Sequence, residues 1–540
     1  MNVNKICAAV SALCLSATAV LLAGNAGKNT PSFAGSLKFG DIDGNDIIDA
    51  RDATLLLSYY AYVSTHDQIS LEEYIAMQDK ETAAQTTTTQ TTTAPPATSP
   101  DVKLKSGGDT FTIAVWNADN YPRFVSQWLG VTEDAVIDSN YSQSLTYDPL
   151  DKHPLTTLKT PSGAKLNIIN FGAGGAEAGE KYEELFKSGE DIDVYYCENG
   201  SWMYKFINND QYTAPLSDLG FKDEDFAQTY SYTDKLGKDQ KGVRKAVSPF
   251  ICPGGFAYRT DLAKQYLGIS SSTEMQKSVG SWDGFVSTAK TLSTATNGTV
   301  ALGDTYGGIF QAYLSEHKLT NQDSTVTDDA KIFADYAKTL WDCGGISKNG
   351  QWTDEWTANG VNEKVMGYFI PSWGVNGFLT RAADNSEGKW DIVPGPEPFY
   401  WGGIWTVVNP ATDNADDCAS FIRSSCLNAD SMVKAAGTDN YYLPNNKAAM
   451  AELLADPTKT NLNSNTVFSG NNLLGVLSSN AEKIVPAVYT FEKEDDYNWD
   501  LRDIIEDDYL KYENSWDETV DTFYNIKQRA YKDKIKYVNF

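Results

Sequence analysis

Histidine is scarce in this chain of 540 residues, with only His66, His153 and His317 present. No serine lies in a G-x-S-x-G elbow, and the sequence contains neither a G-x-x-x-x-G-K-[ST] loop nor an H-E-x-x-H pair. These absences exclude the commonest serine-nucleophile, P-loop and zinc-dependent enzymes. They do not exclude a glycoside hydrolase, because two carboxylates that face a cleft have no linear signature.

Cysteine is also infrequent and irregularly spaced. Beyond the N-terminal apolar run, the chain has five cysteines, an odd number, so the sequence predicts neither a disulfide framework nor a zinc cluster. They are Cys197, Cys252, Cys343, Cys418 and Cys426.

Basic residues are outnumbered by acidic ones, 44 to 72, which gives a formal net charge of -28. Nucleic acids and anionic lipids need a basic surface, so neither is an expected partner. Aromatic residues are plentiful, at 12% of the chain with 13 Trp and 30 Tyr. Most must serve the core, but flat rings in this number also suit stacking on the C–H faces of sugars.

Residues 1–26 have the pattern of a secretory signal peptide. Lys5 precedes an apolar run over residues 6–24, and cleavage is expected after residue 26. An uncleaved membrane anchor is the alternative, because the run is almost long enough to span a bilayer. We therefore expect a secreted, extracellular protein.

Residues 38–80 contain a loop with the spacing of an EF-hand calcium site. The alternative is an acidic turn without a metal. The segment resembles one repeat of a dockerin, the module that docks onto cohesins, and this resemblance implies one calcium ion and a cohesin partner. Two departures are Asp46, where the sharp turn favours glycine, and a second candidate repeat with Tyr62, Ser64 and His66 at ligand positions. The implied ligands are Asp41, Asp43, Asn45, the carbonyl of Ile47, Asp49 and Asp52.

Residues 81–107 form a Thr- and Pro-rich stretch that has little to bury. Such a composition predicts an extended, solvated tether. We expect the calcium module and the domain over residues 108–540 to move independently.

Strands and helices alternate after the tether. Apolar β-prone runs at residues 111–116, 165–171 and 193–197 are each followed by a helical pattern, which predicts a mostly parallel α/β sheet. Ligands collect at the carboxyl ends of the strands in such sheets. Trp116, Asp119, Glu198 and Trp202 fall at those ends and are candidate ligand-binding residues.

Several short motifs follow one another in a set order over residues 110–540. They include Asp191-Ile-Asp193, Ala214-Pro-Leu216, the segment from Ala246 to Arg259, Ser281-Trp282-Asp283, Pro371-Ser-Trp373, Pro394-Gly-Pro396, Gly402-Gly403-Ile-Trp405 and Leu443-Pro444. This order resembles that of the extracellular solute-binding proteins of sugar ABC transporters, the maltose-binding-protein-like group. The resemblance implies an α/β fold of two lobes that close by hinge motion around three crossovers. We place the crossovers near Ser248, near residues 396–400 and near residues 442–444. Lobe 1 is then residues 108–248 and 400–441, and lobe 2 is residues 249–396 and 445–540.

Three further candidates come from the aromatic residues near the crossovers. Trp373 follows the run in which the sugar-stacking tryptophan of this group commonly lies, and Trp401 and Tyr441 stand at predicted crossovers. Each could serve the core instead. Asp119 and Glu198 are the carboxylates that we expect to accept sugar hydroxyls.

These features together predict a non-enzymatic carbohydrate-binding protein that delivers an oligosaccharide to an ABC permease by lobe closure. The calcium module would hold it at the cell surface. The alternatives are a secreted, dockerin-bearing glycoside hydrolase and a surface adhesin for polysaccharide.

Overall fold

The computed structural model describes residues 104–116, 121–138, 152–170, 175–438, 442–464, 466–470 and 473–538. The predicted signal peptide, the calcium module and the tether up to residue 103 lie outside the described residues. So do the predicted metal ligands Asp41, Asp43, Asn45, Ile47, Asp49 and Asp52. No helix in the described ranges combines the length and the apolar character that a membrane span requires.

Nine strands and eighteen α-helices are formed by these residues. The strands are β1 (Thr110–Val115), β2 (Lys152–Lys159), β3 (Lys165–Asn170), β4 (Val194–Glu198), β5 (Ala246–Val247), β6 (Gly254–Arg259), β7 (Gly367–Pro371), β8 (Trp390–Val393) and β9 (Ile404–Val408). The first helices are α1 (Tyr121–Leu129), α2 (Glu133–Asp138), α3 (Gly175–Ser188), α4 (Ser201–Ile207), α5 (Ser231–Leu236), α6 (Thr260–Leu267), α7 (Ser272–Val279), α8 (Trp282–Thr296) and α9 (Tyr306–Leu314). The remaining helices are α10 (Asp328–Asp342), α11 (Asp354–Val361), α12 (Thr380–Ala382), α13 (Ala415–Ile422), α14 (Ala429–Thr438), α15 (Lys447–Ala455), α16 (Leu473–Ala481), α17 (Glu494–Ile504) and α18 (Trp516–Val538).

The first lobe is built on a six-stranded sheet in the order β2-β3-β1-β4-β9-β5. Strands β3, β1 and β4 are parallel, whereas β2 and β9 run antiparallel to their neighbours. The sheet is therefore mixed rather than mostly parallel, because β9 enters it from the other lobe. Strand β1 is apolar almost throughout and buried, as expected for a strand covered on both faces.

A buried carboxylate helps to hold β4 in register. Asp193, just before β4, accepts hydrogen bonds from the Thr112 amide (2.7 Å), the Thr412 hydroxyl (2.5 Å) and the Asn414 side-chain amide (3.1 Å). Burial raises its pKa to about 6, and the three donors oppose the shift. The end of β4, which carries Glu198, is thereby fixed relative to β1 and to the turn after β9.

The second lobe contains a three-stranded antiparallel sheet in the order β7-β6-β8. One face packs on helices α7 to α10 and on the C-terminal helices, in a core that includes Phe256, Phe285, Phe369 and Phe399. The other face, with Tyr368, Ile370 and Trp390, joins the core of the first lobe. The two lobes thus share part of one hydrophobic core.

The crossovers lie side by side. The first, residues 248–253, pairs with the second through the Gly254 amide and the Phe399 carbonyl (2.8 Å). It also pairs with residues 442–444, because the Ile251 amide donates to the Leu443 carbonyl (2.8 Å). The three segments predicted as crossovers are therefore neighbours in space.

The third passage between the lobes comes later than the sequence analysis placed it. Helix α15 packs on α14, and its first amide, that of Lys447, donates to the Gln228 carbonyl of the first lobe (2.8 Å). The chain reaches the second sheet only at Phe468, which forms a bridge with Trp390. The apolar residues of a short helix do not reveal which of two cores they contact, so the sequence could not assign α15 correctly.

Candidate functional site

A cavity of about 340 Å³ lies between the two lobes and is called the central cavity below. The first lobe contributes Glu198, Asn199 and Trp202, the second crossover contributes Tyr400, Trp401 and Gly402, and the end of α9 contributes Gln311, Leu314, Ser315 and His317. The C-terminal segment completes the wall with Ala487, Tyr489, Glu494, Asp495, Asn498 and Trp499.

The wall from the first lobe is the turn between β4 and α4. Glu198 ends the strand, and the helix begins at Ser201, so Asn199 and Trp202 project at the carboxyl edge of the sheet. The Asn199 amide donates to the Gly403 carbonyl (3.3 Å), which joins this turn to the second crossover. Trp202 is only 8% exposed and stacks on Tyr182 with ring centroids 6.0 Å apart. Its side chain therefore packs in the core of the first lobe and also lines the cavity.

The floor is formed by the second crossover. The Trp401 amide donates to the Cys252 carbonyl (3.1 Å), and the Tyr400 ring stacks on Tyr232 at 5.4 Å. The Asn199 side-chain amide donates to the Tyr400 hydroxyl (3.3 Å). Gly402 has φ of 77°, a backbone conformation that side-chain-bearing residues rarely adopt. This turn lets the chain leave the cavity floor and enter β9.

His317 marks the wall that the second lobe contributes. Its ring stacks on Tyr313 at 3.9 Å, and its nitrogens lie 3.1 Å from Glu397 Oε2 and 3.4 Å from Asp329 Oδ2. Burial alone would lower the pKa of His317, but the two carboxylates raise it above its usual value. The two carboxylates offset any positive charge on the ring, so His317 adds little free positive charge to the cavity.

The C-terminal wall carries an exposed tryptophan and a perturbed carboxyl group on one face of α17. Trp499 is 39% exposed, and its ring packs on Phe310 at 5.4 Å. Asp495, one turn earlier, accepts a hydrogen bond from the Tyr489 hydroxyl (3.2 Å). Burial, with the nearby charges of Asp496 and Glu494, raises the pKa of Asp495 to about 6.

The structure brings together only some of the residues that the sequence analysis selected. Glu198, Trp202 and Trp401 line the central cavity. Trp373 does not line the cavity but contacts its floor, because its indole N–H donates to the Trp401 carbonyl (2.9 Å) and its ring meets that of Trp401 at 5.3 Å. Trp116 is half-buried against the core of the first lobe. Asp119 and Tyr441 lie outside the described residues.

The residues that the sequence analysis missed come mostly from the C-terminal segment. Asp495 and Trp499 of this segment reach the cavity, and neither was among the candidate residues. A usable signal was present, because Asp495 and Trp499 are four apart and Glu494 and Asn498 are four apart, so all four lie on one side of a helix. Carboxylates and amides beside a tryptophan on a single helical face are typical of a polar ligand site.

This site can bind a polar, uncharged ligand with apolar faces. Three tryptophans supply stacking surfaces, and carboxylate and amide side chains supply hydrogen-bond acceptors and donors. Glu198, Glu494 and Asp495 make the wall acidic, which disfavours an anion. A cavity of this kind between two α/β lobes defines the class of two-lobed ligand-binding proteins.

The chain belongs to the family of bacterial extracellular solute-binding proteins, whose profile matches residues 159–461, more than half of its length. Members of this family are binding proteins rather than enzymes. A comparison with curated protein sequences returned no match.

Solved structures of the same type are similar to this one along nearly their whole length. An extracellular solute-binding protein of family 1 is 15% identical, with 76% of this chain and 97% of that one covered and a TM-score of 0.60. The sugar-binding protein MalE from Xanthomonas citri is 14% identical, with 79% and 100% covered and a TM-score of 0.58. The galacto-N-biose-/lacto-N-biose I-binding protein of an ABC transporter from Bifidobacterium longum, solved with lacto-N-biose, is 15% identical, with 80% and 98% covered and a TM-score of 0.53. These likenesses confirm the predicted two-lobed fold.

Proposed function

We propose that the protein binds a neutral oligosaccharide in the central cavity and delivers it to an ABC permease. The observation that carries this proposal is the composition of the wall: Trp202, Trp401 and Trp499 come from three different parts of the fold and meet around one cavity. Pyranose rings have apolar C–H faces and a rim of hydroxyls. Such a ligand uses both the indole faces and the polar side chains between them.

Lobe closure follows because both lobes contribute residues to the cavity wall. A ligand in the cavity touches the β4–α4 turn of the first lobe and α9 of the second, so it makes all its contacts only when the lobes are together. Binding therefore shifts the population toward the closed form. The Bifidobacterium longum protein of similar fold belongs to an ABC transporter, which supports a permease as the receiver of that form.

Calorimetry on the full chain with neutral oligosaccharides tests the binding proposal. The titrations use maltose, cellobiose and xylobiose with their longer homologues, and the products of each mixture are separated afterwards. Binding without cleavage is expected. Cleavage would identify a glycoside hydrolase instead, and Asp495, whose pKa is raised to about 6, is a carboxyl group that such an enzyme would use as an acid.

A tether to the cell surface is the second part of the proposal, and it rests on the sequence of residues 38–80. Asp41, Asp43 and Asp49 offer the oxygen ligands that Ca²⁺ prefers, and a cohesin is the partner that the dockerin resemblance implies. Full-length protein is incubated with cell-wall extracts in calcium and in a calcium chelator, beside a variant with Asp41 and Asp43 changed to Ala. Capture that needs calcium and both aspartates is expected, and equal capture in all samples would contradict the tether.

A further inference from the structure

Trp352 has an unusual combination of exposure and backbone conformation. It is 58% exposed, and its φ of 66° lies in the left-handed region that favours glycine. Both features are unfavourable for a large apolar residue in a structural role. Strained conformations of this kind concentrate at functional sites, where the surrounding structure holds them in place.

The loop between α10 and α11 is tied to α11 by hydrogen bonds just before Trp352. The Asn359 side-chain amide donates to Ser347 Oγ and to Asn349 Oδ1, both at 3.0 Å. Asn349 in turn donates to Glu355 Oε2 (2.7 Å), so the middle of the loop is held on α11. A side chain displayed on a fixed loop loses little conformational entropy when it binds a ligand.

The indole of Trp352 rests on other aromatic rings and still leaves much of its surface open. Its plane lies 14° from that of Trp373, with centroids 6.2 Å apart, and its edge meets Trp356 at 5.0 Å. We call Trp352 and Trp373 the outer tryptophan surface. Two nearly parallel indoles offer a longer apolar surface than one ring can.

The outer tryptophan surface is continuous with the central cavity. Trp401, which lines the cavity, lies 5.8 Å from Trp352 and 5.3 Å from Trp373, measured between ring centroids. The side chain next to Trp352, that of Gln351, packs on Gly307 at the start of α9, and Gln311 on the same helix lines the cavity. Contacts between aromatic rings therefore link the cavity wall to the exposed indole of Trp352.

We propose that the outer tryptophan surface is an additional subsite, which binds a sugar ring of the oligosaccharide whose inner rings fill the central cavity. The inference rests on the proposed function and extends it. It requires a ligand longer than the cavity alone accommodates, and it predicts that Trp352 contributes to affinity only when the ligand has a ring that reaches it.

The variant Trp352→Gly separates binding from folding. Glycine adopts the left-handed conformation without strain, so the variant loses the indole while its backbone is relieved. The thermal midpoint is expected to change little, because relief of the left-handed backbone offsets ring packing that is lost. Tyr512→Ala is the matched control, because Tyr512 is an aromatic side chain 75% exposed that lies outside both the cavity wall and the outer tryptophan surface.

The experiment is calorimetry on full-length wild type, W352G and Y512A with the malto-, cello- and xylo-oligosaccharide series from two to six units. Wild-type affinity is expected to rise with ligand length in the series that binds. W352G should lose about tenfold for the long members and nothing for the shortest one that binds, and Y512A should match wild type throughout.

Three results would overturn the inference. If W352G binds every length as wild type does, the cavity binds sugar but the outer surface does not, and the proposed function stands alone. An equal loss at all lengths would place Trp352 in the support of the cavity rather than in a subsite. Absence of binding by wild type across all three series would reject the proposed function and this extension of it together.

Discussion

Trp202 and Trp499 both line the central cavity, but they differ in how deeply they are buried. Trp202 is 8% exposed and belongs to the aromatic core of the first lobe, whereas Trp499 is 39% exposed and rests on α9 from outside. Removing the first leaves a hole in a packed core, which costs about 3 to 5 kcal/mol. Removing the Trp499 side chain uncovers a surface that is already partly exposed to solvent. The same residue type therefore supports folding at one position and ligand contact at the other.

Trp499→Ala should weaken oligosaccharide binding by about 1 to 2 kcal/mol, roughly five- to thirtyfold in Kd, because a stacking face is lost. The free energy of unfolding should change by less than about 1 kcal/mol, since the side chain is not part of a filled core. Calorimetry and urea denaturation measure the two quantities. Trp202→Ala is the comparison, and it should lose stability as well as affinity. An unchanged Kd for W499A would remove α17 from the binding site.

Asp304 is a buried carboxyl group that contacts Trp356, whose ring packs on Trp352 of the outer tryptophan surface. It accepts hydrogen bonds from the Trp356 indole (2.9 Å) and the Phe369 amide (3.3 Å), and it is fully buried. Burial raises its pKa to about 6, and these donors oppose the shift. Because the folded state holds the proton more tightly than the unfolded state does, the stabilising contribution is complete below the unfolded pKa and is lost as pH rises through about 6.

The stability of wild type should therefore fall relative to that of Asp304→Asn between about pH 4 and pH 7, by up to about 3 kcal/mol. The measurement is urea denaturation of both proteins at several pH values, with circular dichroism to show that each starts folded. The asparagine variant cannot titrate at this position, so it is the control for wild type. A difference between the two proteins that does not vary with pH would contradict the assigned pKa of Asp304.

At the scale of elements, the hinge depends on the close approach of the first and second crossovers. The Gly254 amide donates to the Phe399 carbonyl at 2.8 Å, and a Cβ on residue 254 would overlap the Phe399 ring. Phe399 is fully buried in the core of the second lobe, so its ring has no free space into which to move. Glycine is required here by packing rather than by φ.

Gly254→Ala should destabilise the protein by about 1 to 3 kcal/mol, as overpacking of a filled core does. Ligand affinity should fall as well, because the displaced crossover carries Trp401. Thermal denaturation and calorimetry give the two values. Gly470→Ala is the control, since a Cβ there would meet no atom within 4 Å, and it should be neutral. Equal stability of both variants would show that the crossovers tolerate displacement.

The two-lobed fold was predicted from the resemblance in motif order, whereas three residues of the cavity wall were predicted for physical reasons that are local. Glu198 and Trp202 follow a buried apolar strand, and Trp401 stands between two proline- and glycine-rich segments, so their places could be inferred from nearby residues. The spacing of Asp495 and Trp499 puts them on one helical face, but only the tertiary fold brings that face of α17 beside the β4–α4 turn. The left-handed backbone of Trp352 leaves no trace in composition or periodicity. Packing likewise determines which lobe α15 contacts, so the sequence alone did not predict it.

At the scale of the whole molecule, the two lobes share a core that continues from the first sheet onto one face of the second. Residues such as Tyr368 and Trp390 of the second lobe belong to the same hydrophobic cluster as Phe124 and Tyr196 of the first. A substitution that disturbs the packing of one lobe therefore also disturbs the packing of the other. The lobes of this domain should unfold together rather than in sequence.

Ligand binding should accordingly stabilise both lobes at once. A ligand that binds only the folded state adds RT ln(1 + [L]/Kd), about 2.7 kcal/mol at a concentration of 100 Kd, and its contacts lie on both sides of the cavity. The main thermal transition of the full chain should rise by a few degrees without splitting. Tryptophan fluorescence should change at the same ligand concentrations, because Trp202, Trp401 and Trp499 face the cavity. Scanning calorimetry and a fluorescence titration with the same oligosaccharide measure both effects, and Trp499→Ala should reduce both. A transition that splits on addition of sugar would mean that the ligand is bound by one lobe alone, and closure would then have no energetic basis.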